Sequence, residues 1–488
     1  MSVTLLLSLA LTVPLAGAVL IAMSDRKPNQ RETMTLVTAV ALFSIVVALT
    51  TRVLAGERPY LELLDILPGF ALAFRIEPLG MMFALVASFL WIVNSIYSIG
   101  YMRGNNEKHQ TRFYVCFAVA LWATMGVAFS ANLLSLFVFY ELLTISTYPL
   151  VTHHGDEKAV RGGRTYLGIL LTTSIGVMLP AIILTAYLVG TLDFKTGGIL
   201  AGKVSDEIGG LLLFLFMYGT GKAALMPIHR WLPAAMVAPT PVSALLHAVA
   251  VVKAGVFIVV KLIVYTFGIG YLSKLTNAEW LLYVAGATIL IASVIALRSD
   301  NLKRRLAYST VSQLSYVIMA AAILVPISAM GAAIHIAAHA FGKITLFFAA
   351  GSIYTAAHKT EVSQLDGIGR RMPWTMGAFA IGALSMIGVP PTVGFISKWY
   401  ILLGALDAKA TAAIVVIVLS TILNAAYFLP VVYAAFFRKP PVDEAHNHGE
   451  APLAIVIALT ITAGGTIVLF FLPGLPVALA RSMVGLGG

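Results

Sequence analysis

Lys222, Lys253, Lys343 and Lys398 lie inside hydrophobic stretches of the chain, and one glutamate, Glu141 in FVFYELLTISTYPL, lies well inside another. A charge at the centre of a bilayer costs roughly 2.5–3.5 kcal/mol even on lenient insertion scales, so ionisable groups kept there mark a proton or ion path. His335, His339 and Lys343 follow one another at i, i+4 and i+8, which draws one polar stripe along an otherwise apolar helix. In HAVAVVK, His247 and Lys253 stand six residues apart, nearly two turns along but offset around the axis, so a neighbouring helix or a water has to bridge them. Imidazole titrates near neutrality, and a lysine withdrawn from water gives up its proton more readily; such groups can take up and release protons. Tyr140, Tyr148 and Tyr308 are candidate hydroxyls on the path, although packing or interfacial tyrosines are commoner. His229, beside Arg230, is a candidate entry point with a structural loop role as an equal reading. Any one of the lysines alone could snorkel to an interface or cap a carbonyl; four near span centres make that a poor account of all of them.

These residues need a lipid-embedded scaffold, and the composition supplies one. Of 488 residues 59% are apolar and 11% charged, and the mean hydropathy is +0.93, outside the range of soluble domains. Fourteen apolar runs are each long enough to cross about 30 Å of hydrocarbon as a helix. They fall at 4–22, 33–53, 78–98, 112–130, 132–151, 166–190, 209–228, 242–268, 280–297, 306–325, 328–355, 375–406, 411–437 and 453–476. Loops after odd-numbered spans hold 19 basic residues against 8 after even-numbered ones, with Lys261 counted among the latter. Cytoplasmic loops carry the Lys/Arg excess, so the odd loops are expected in the cytoplasm and both termini outside. This places the chain in the inner membrane of a bacterium or archaeon. The first segment lacks a basic n-region and leads straight into further spans, so it reads as a helix and not as a cleaved signal peptide.

Several function classes drop out. The formal charge of +11 is spread over many loops without clustered aromatics, which argues against a nucleic-acid surface. A single cysteine, Cys116, leaves no thiol metal site or intrachain disulfide. GTGKAAL at 219–225 lacks the first glycine and the Ser/Thr of a P-loop, with Phe216 and Ala223 at those positions. No covalent active-site motif is present, and His153 and His154 read as solvated loop residues. VDEAHNHGE at 442–450 reads as a loop in preference to a loose metal site. No cofactor or metal is expected. A haem carrier is disfavoured because bis-His ligation needs ligands facing each other from two helices, whereas His335 and His339 stack one turn apart.

Two spans are interrupted alike. PIHRWLPAAMVAPTP sets four prolines after the segment carrying Lys222, and GVPPTVG breaks another span four residues before Lys398. Proline removes a backbone bond inside a helix, and freed backbone is tolerated at membrane depth only when buried in protein or lining a wet cavity. Paired breaks at matching places in two halves point to a transporter site built on inverted repeats. The broken spans are the seventh and twelfth, so the repeats are expected to be spans 4–8 and 9–13. The resulting division is 1–110, 111–268, 279–437 and 438–488, in an all-α polytopic membrane protein.

Four segments then carry a resemblance. KAALMPIHRWLPAAMVAPTPVSALLHAVAVVKAGVF (222–257), DNLKRRLAYSTVSQLSY (300–316), HAFGKITLFFAAGS (339–352) and GVPPTVGFISKW (388–399) resemble the antiporter-like subunits shared by complex I, Mrp-type cation/proton antiporters and energy-converting membrane hydrogenases. The wording of the first block and the chain length are most similar to the D component of the Mrp antiporters. The resemblance implies fourteen helices with two inverted five-helix repeats, and a pairing of Glu141 with Lys222. It also implies a polar axis in the membrane plane through Lys253 and the His335/His339/Lys343 stripe to a terminal group at Lys398. In the complex I subunit most like that D component the last group is a glutamate, so Lys398 favours the other relatives.

The function this implies is proton translocation within a multisubunit Na⁺ or K⁺/proton antiporter. The alternative is a proton-pumping subunit of a redox-driven complex; in neither case does the chain perform redox chemistry itself. In a low-dielectric core a Glu–Lys pair stabilises both charges while closed and loosens the lysine's proton when it opens. Other integral membrane subunits are the expected partners, since a long in-plane path needs neighbours to continue it.

Overall fold

The computed structural model describes residues 2–67, 69–440 and 449–486. Its helices in chain order are α1 (Val3–Met23), α2 (Pro28–Leu54), α3 (Pro78–Gly104), α4 (Gln110–Phe129), α5 (Leu133–Val151), α6 (Glu157–Thr173) and α7 (Leu179–Val189). They continue as α8 (Asp206–Gly219), α9 (Trp231–Ala234), α10 (Thr240–Ala244), α11 (Val251–Lys261), α12 (Ile269–Leu272), α13 (Trp280–Arg298) and α14 (Leu302–Ala322). The last six are α15 (Pro326–Ala357), α16 (Pro373–Ile387), α17 (Val393–Asp407), α18 (Thr411–Phe437), α19 (Leu453–Phe471) and α20 (Gly474–Met483). Starts follow local chemistry. Asn132, Asp156, Ser205 and Asn301 accept backbone N–H bonds as N-caps of α5, α6, α8 and α14, while proline occupies the first turn of α2, α3, α15 and α16.

Ten helices among the described residues are long and apolar enough to cross a membrane, α6 and α7 counting as one rod joined by a π-turn at Ser174–Met178. The four expected spans outside that set are the seventh, eighth, tenth and twelfth. Each departs from a plain apolar helix for a visible reason. α8 stops at Gly219 and gives way to 3₁₀ turns and the short α9. The eighth runs from α10 through a π-turn at Leu245–Val249 into α11 and a second π-turn at Leu262–Phe267. α14 is one helix but carries Ser309, Thr310, Ser312, Gln313 and Ser315, all buried. The twelfth is split into α16 and α17 at GVPPT. Membrane-depth backbone is thus irregular where polar side chains gather, as expected for segments covered by protein.

α15 is the spine of the bundle. It packs against α14, α16, α17, α19 and α3, and its most apolar window is 100% buried. Peripheral helices such as α18 and α19 bury only 33% of theirs, leaving an apolar face outward, as lipid contact requires.

One element departs from the all-α expectation. The connection after α2 forms a hairpin, β1 (Tyr60–Leu67) and β2 (Phe70–Arg75), antiparallel with Tyr60 opposite Arg75. YLELLDIL and FALAFR are too short to span as helices and pair instead, which satisfies their backbone groups locally. The VDEAHNHGE stretch lies outside the described residues except for its last two. Of these, Glu450 accepts from the Trp374 and Thr375 N–H groups at the start of α16.

Candidate functional site

Lys222 sits in the gap left when α8 ends. Thr220 and Ala224 flank a single 3₁₀ turn, with Ala224 in the left-handed region at φ 55°. The Trp231 indole donates to the freed Gly221 carbonyl at 2.9 Å, so the break is stapled from below. The Lys222 ammonium is fully buried and donates to the Tyr140 carbonyl at 2.8 Å and to Thr144 Oγ1 at 2.5 Å. It lies 3.1 Å from the centre of the Tyr140 ring, and Tyr140 Oη in turn accepts from the Lys222 backbone N–H at 3.1 Å. Glu141, next to Tyr140, accepts no hydrogen bond on either buried carboxylate oxygen. Glu141 and Lys222 thus make no direct hydrogen bond, although the two groups interact electrostatically; the lysine is held by a carbonyl, a hydroxyl and a ring face.

α11 brings the next lysine close. A Cβ at Gly255 would run into the Lys222 carbonyl and the Ala223 nitrogen, so only glycine lets α11 lie directly on the broken segment. Lys253, two residues earlier and 0% exposed, is hydrogen-bonded to Nδ1 of His339 on α15. The His339 and His335 rings stack with centroids 6.0 Å apart. His335 is gripped at both nitrogens: Nε2 faces Gln313 Oε1 of α14 at 3.1 Å and Nδ1 faces Ser397 Oγ of α17 at 2.9 Å. Its ring lies 5.8 Å from that of Tyr316, whose face meets the Lys398 ammonium at 4.8 Å. Lys398 donates to the Met386 and Ile387 carbonyls, at 2.9 and 3.0 Å, which the end of α16 leaves open. The carbonyl-capping role weighed for any single lysine thus holds for Lys398 without displacing it from the row. Lys343 leaves the row sideways, hydrogen-bonded to Ser309 of α14 and 5.6 Å from the Phe428 ring.

The structure therefore joins Lys253, His339, His335 and Lys398 through direct neighbours, places Lys343 one turn from His339, and meets Lys222 through the α11 backbone. Of His247 only the backbone is described, in the π-turn before α11. His229 sits on a half-buried turn with its ring 6.0 Å from Tyr308. Tyr148 packs against Gly163 of α6.

Sequence reasoning passed over three things. The polar face of α14, with Ser309, Gln313 and Tyr316 at near-helical spacing, supplies partners for Lys343, His335 and Lys398; that spacing was legible in DNLKRRLAYSTVSQLSY. Lys261, counted with a loop, is inside the eighth span, 0% exposed, 3.2 Å from Glu77 Oε2 and donating to the Ser130 carbonyl at 2.8 Å. It is a fifth buried lysine. His153, read as solvated, is 3% exposed with Nε2 3.8 Å from Glu107, while His154 Nε2 lies 3.4 Å from the same carboxylate. Burial lowers the His153 pKa to about 4, whereas the hydrogen bond to Glu107 raises that of His154.

Residues 130–424 match the family model described as NADH:quinone oxidoreductase/Mrp antiporter, TM, and residues 69–114 that of the complex I chain 5 N-terminus. NADH-quinone oxidoreductase subunit N of Desulforudis audaxviator is 32% identical over 452 residues, covering 92% of this chain and 89% of that protein. A probable K⁺/H⁺ antiporter A/B subunit of Rhizobium meliloti is 30% identical over 473 residues, covering 92% of this chain but 45% of that longer protein. A chain in the structure of the Mrp complex from Dietzia sp. DQ12-45-1b superposes with a TM-score of 0.88 at 20% identity, over 99% of this chain and 97% of that one, which places the fold. The chain belongs to the NADH:quinone oxidoreductase/Mrp antiporter family of integral membrane subunits.

Proposed function

We propose that the chain is the proton-translocating component of a multisubunit Na⁺ or K⁺/proton antiporter, resembling the D component of the Mrp type, assembled with other integral membrane subunits. The observation that carries this is the row Lys253–His339–His335–Tyr316–Lys398, threaded through a helix with no lipid-facing side at that depth. Protons move along it as each cation raises the cost of charging the next, with Glu141 and Lys222 as the switch at one end. The hold on Lys222 supports this: it has two neutral acceptors, the Tyr140 carbonyl and Thr144 Oγ1, to rest on when Glu141 lets go. The two broken segments support spans 4–8 (111–268) and 9–13 (279–437) as inverted counterparts. The loop-charge bias supports an inner-membrane setting with both termini outside.

The test is cation-dependent proton flux in inverted vesicles bearing the complete native complex, wild type against Lys253→Met. Na⁺- or K⁺-stimulated dissipation of an imposed proton gradient that disappears in the variant supports the reading. A second reading, a proton pump powered by electron transfer elsewhere in a redox complex, is favoured by the near full-length match to a quinone oxidoreductase subunit N. Absence of a cation response, with pumping once an electron donor is supplied, would decide for it.

A further inference from the structure

The row of buried lysines needs a way in from water, and His229, the candidate entry, lies with its ring 6.0 Å from that of Tyr308. A different place is better built for it. Between the ends of α3, α10, α14 and α15 lies a cavity of about 490 Å³, on the side where the loops after odd-numbered spans gather. Its lining carries Glu107, His154 and Asp156 together with the basic Lys303 and Lys359. Lys303 donates to the Ala238 carbonyl at 2.6 Å and so holds the proline-rich wall in place. Its lining includes the buried Tyr101 and Thr240, 3% and 2% exposed. Their hydroxyls face each other at 3.5 Å, the outer limit of a hydrogen bond.

Beneath this pair the core is polar and incompletely satisfied. Asn94 of α3 donates to the Pro241 carbonyl at 3.3 Å, next to Thr240, yet its Oδ1 has no partner. Ser243, one turn beyond Thr240, is 0% exposed with an unpartnered hydroxyl. Two orphaned acceptors or donors in so small a region are the usual signature of bound water. A Cβ at Gly351 of α15 would strike both Tyr97 Oη and Thr240, so the cluster is pressed onto the helix that carries Lys343 and His339.

We propose that this cavity is the port through which protons leave bulk water for the buried row, with the Glu107–His154 pair collecting them and the Tyr101–Thr240 hydroxyls as the narrow step. The ligand is the proton itself, passed through water. Carboxylate and imidazole share a site on the cavity lining, with His154 Nε2 3.4 Å from Glu107 Oε1, a contact that raises the His154 pKa. The charged and titratable groups facing that pair include Asp156, His153, Lys303, Tyr101 and Arg112, the last donating to the His153 carbonyl at 2.9 Å. This rests on the proton-translocating reading above.

The experiment measures proton flux in vesicles carrying the complete complex, with the cavity side facing the bath, for Tyr101→Phe, Thr240→Val, Thr240→Ser, Glu107→Gln and Lys253→Met, each checked for co-purification of the partner subunits. Tyr101→Phe and Thr240→Val are expected to lower flux about tenfold or more, a modest share of what a positioned proton-transfer group supplies. Thr240→Ser keeps the hydroxyl and should run normally. Glu107→Gln should slow flux at low buffer concentration and recover with added mobile buffer, which a merely structural carboxylate would not do. Assembled Tyr101→Phe and Thr240→Val complexes running within about twofold of wild type, beside a dead Lys253→Met, would overturn the port and leave the relay standing. If Lys253→Met also runs, the relay itself fails.

Discussion

Lys222 shows how a buried ammonium can be kept without a closed carboxylate partner. On the relay reading proposed above, its carbonyl and hydroxyl acceptors let Glu141 engage or withdraw without leaving the lysine unheld. Thr144→Val should strip one acceptor and reduce vesicle flux several-fold, whereas Glu141→Ala should abolish it with the complex still assembled; full flux in the Glu141 variant would remove that residue from the mechanism. Lys261 and Glu77 form the complementary case, a closed buried pair. Removing one partner of such a pair costs about 3–5 kcal/mol, while replacing both with apolar groups is often neutral. Lys261→Ala should therefore lower the thermal unfolding temperature of the purified complex sharply, and Lys261→Met with Glu77→Leu should restore most of it. His153 adds a pH signature. Its folded pKa of about 4 lies below the ordinary value near 6.5, so its stabilising contribution is complete above that value and lost as pH falls through 4. Scans of unfolding temperature against pH should show this loss in wild type and a flatter curve in His153→Phe. At this scale the sequence showed the lysines and histidines, because lipid makes every charge conspicuous. It hid Lys261, which stands close to a span end in one dimension and meets Glu77 only in three.

Among the elements, those that position chemistry are the ones hydropathy reads worst. The seventh, eighth, tenth and twelfth spans are broken, π-wound or polar, and the residues they contribute are Lys222, Lys253, Ser309, Gln313 and Lys398. The breaks were legible from clustered prolines, which cannot continue a helix. The π-turns on either side of α11 were not, since no residue type demands them. Nor was the hairpin β1–β2, whose alternation is too short to stand out in so apolar a chain. Gly255 is the element-scale test. Gly255→Val should push α11 off the Lys222 turn and cut flux strongly, while unfolding temperature falls by less than in Lys261→Ala; an active Gly255→Val complex would show that the close approach is not required.

For the whole molecule, the helical membrane plan was readable because each crossing needs its own apolar run; ten of the fourteen runs are, among the described residues, helices long and apolar enough to cross. Which sides the loops face is a separate matter, and labelling settles it. In a Cys116→Ser background, Lys274→Cys should react with a membrane-impermeant maleimide in intact cells, and Lys158→Cys only after the membrane is opened. The reverse pattern would invert the orientation and put the port on the outer face.

The grip of Lys398 on the end of α16 carries one more consequence. The carbonyls it caps form the negative end of a half-helix, and a cation there is worth roughly 0.3–1 kcal/mol, more when partly buried. On the proposed relay, the proton that Lys398 receives is also a fastener: while it is present, the two half-helices are clamped across their gap, and its departure would slacken the clamp. Occupancy of the last station on the row and the shape of the broken helix then become one variable, and the proposed relay implies that the gap between α16 and α17 loosens as a proton is passed on.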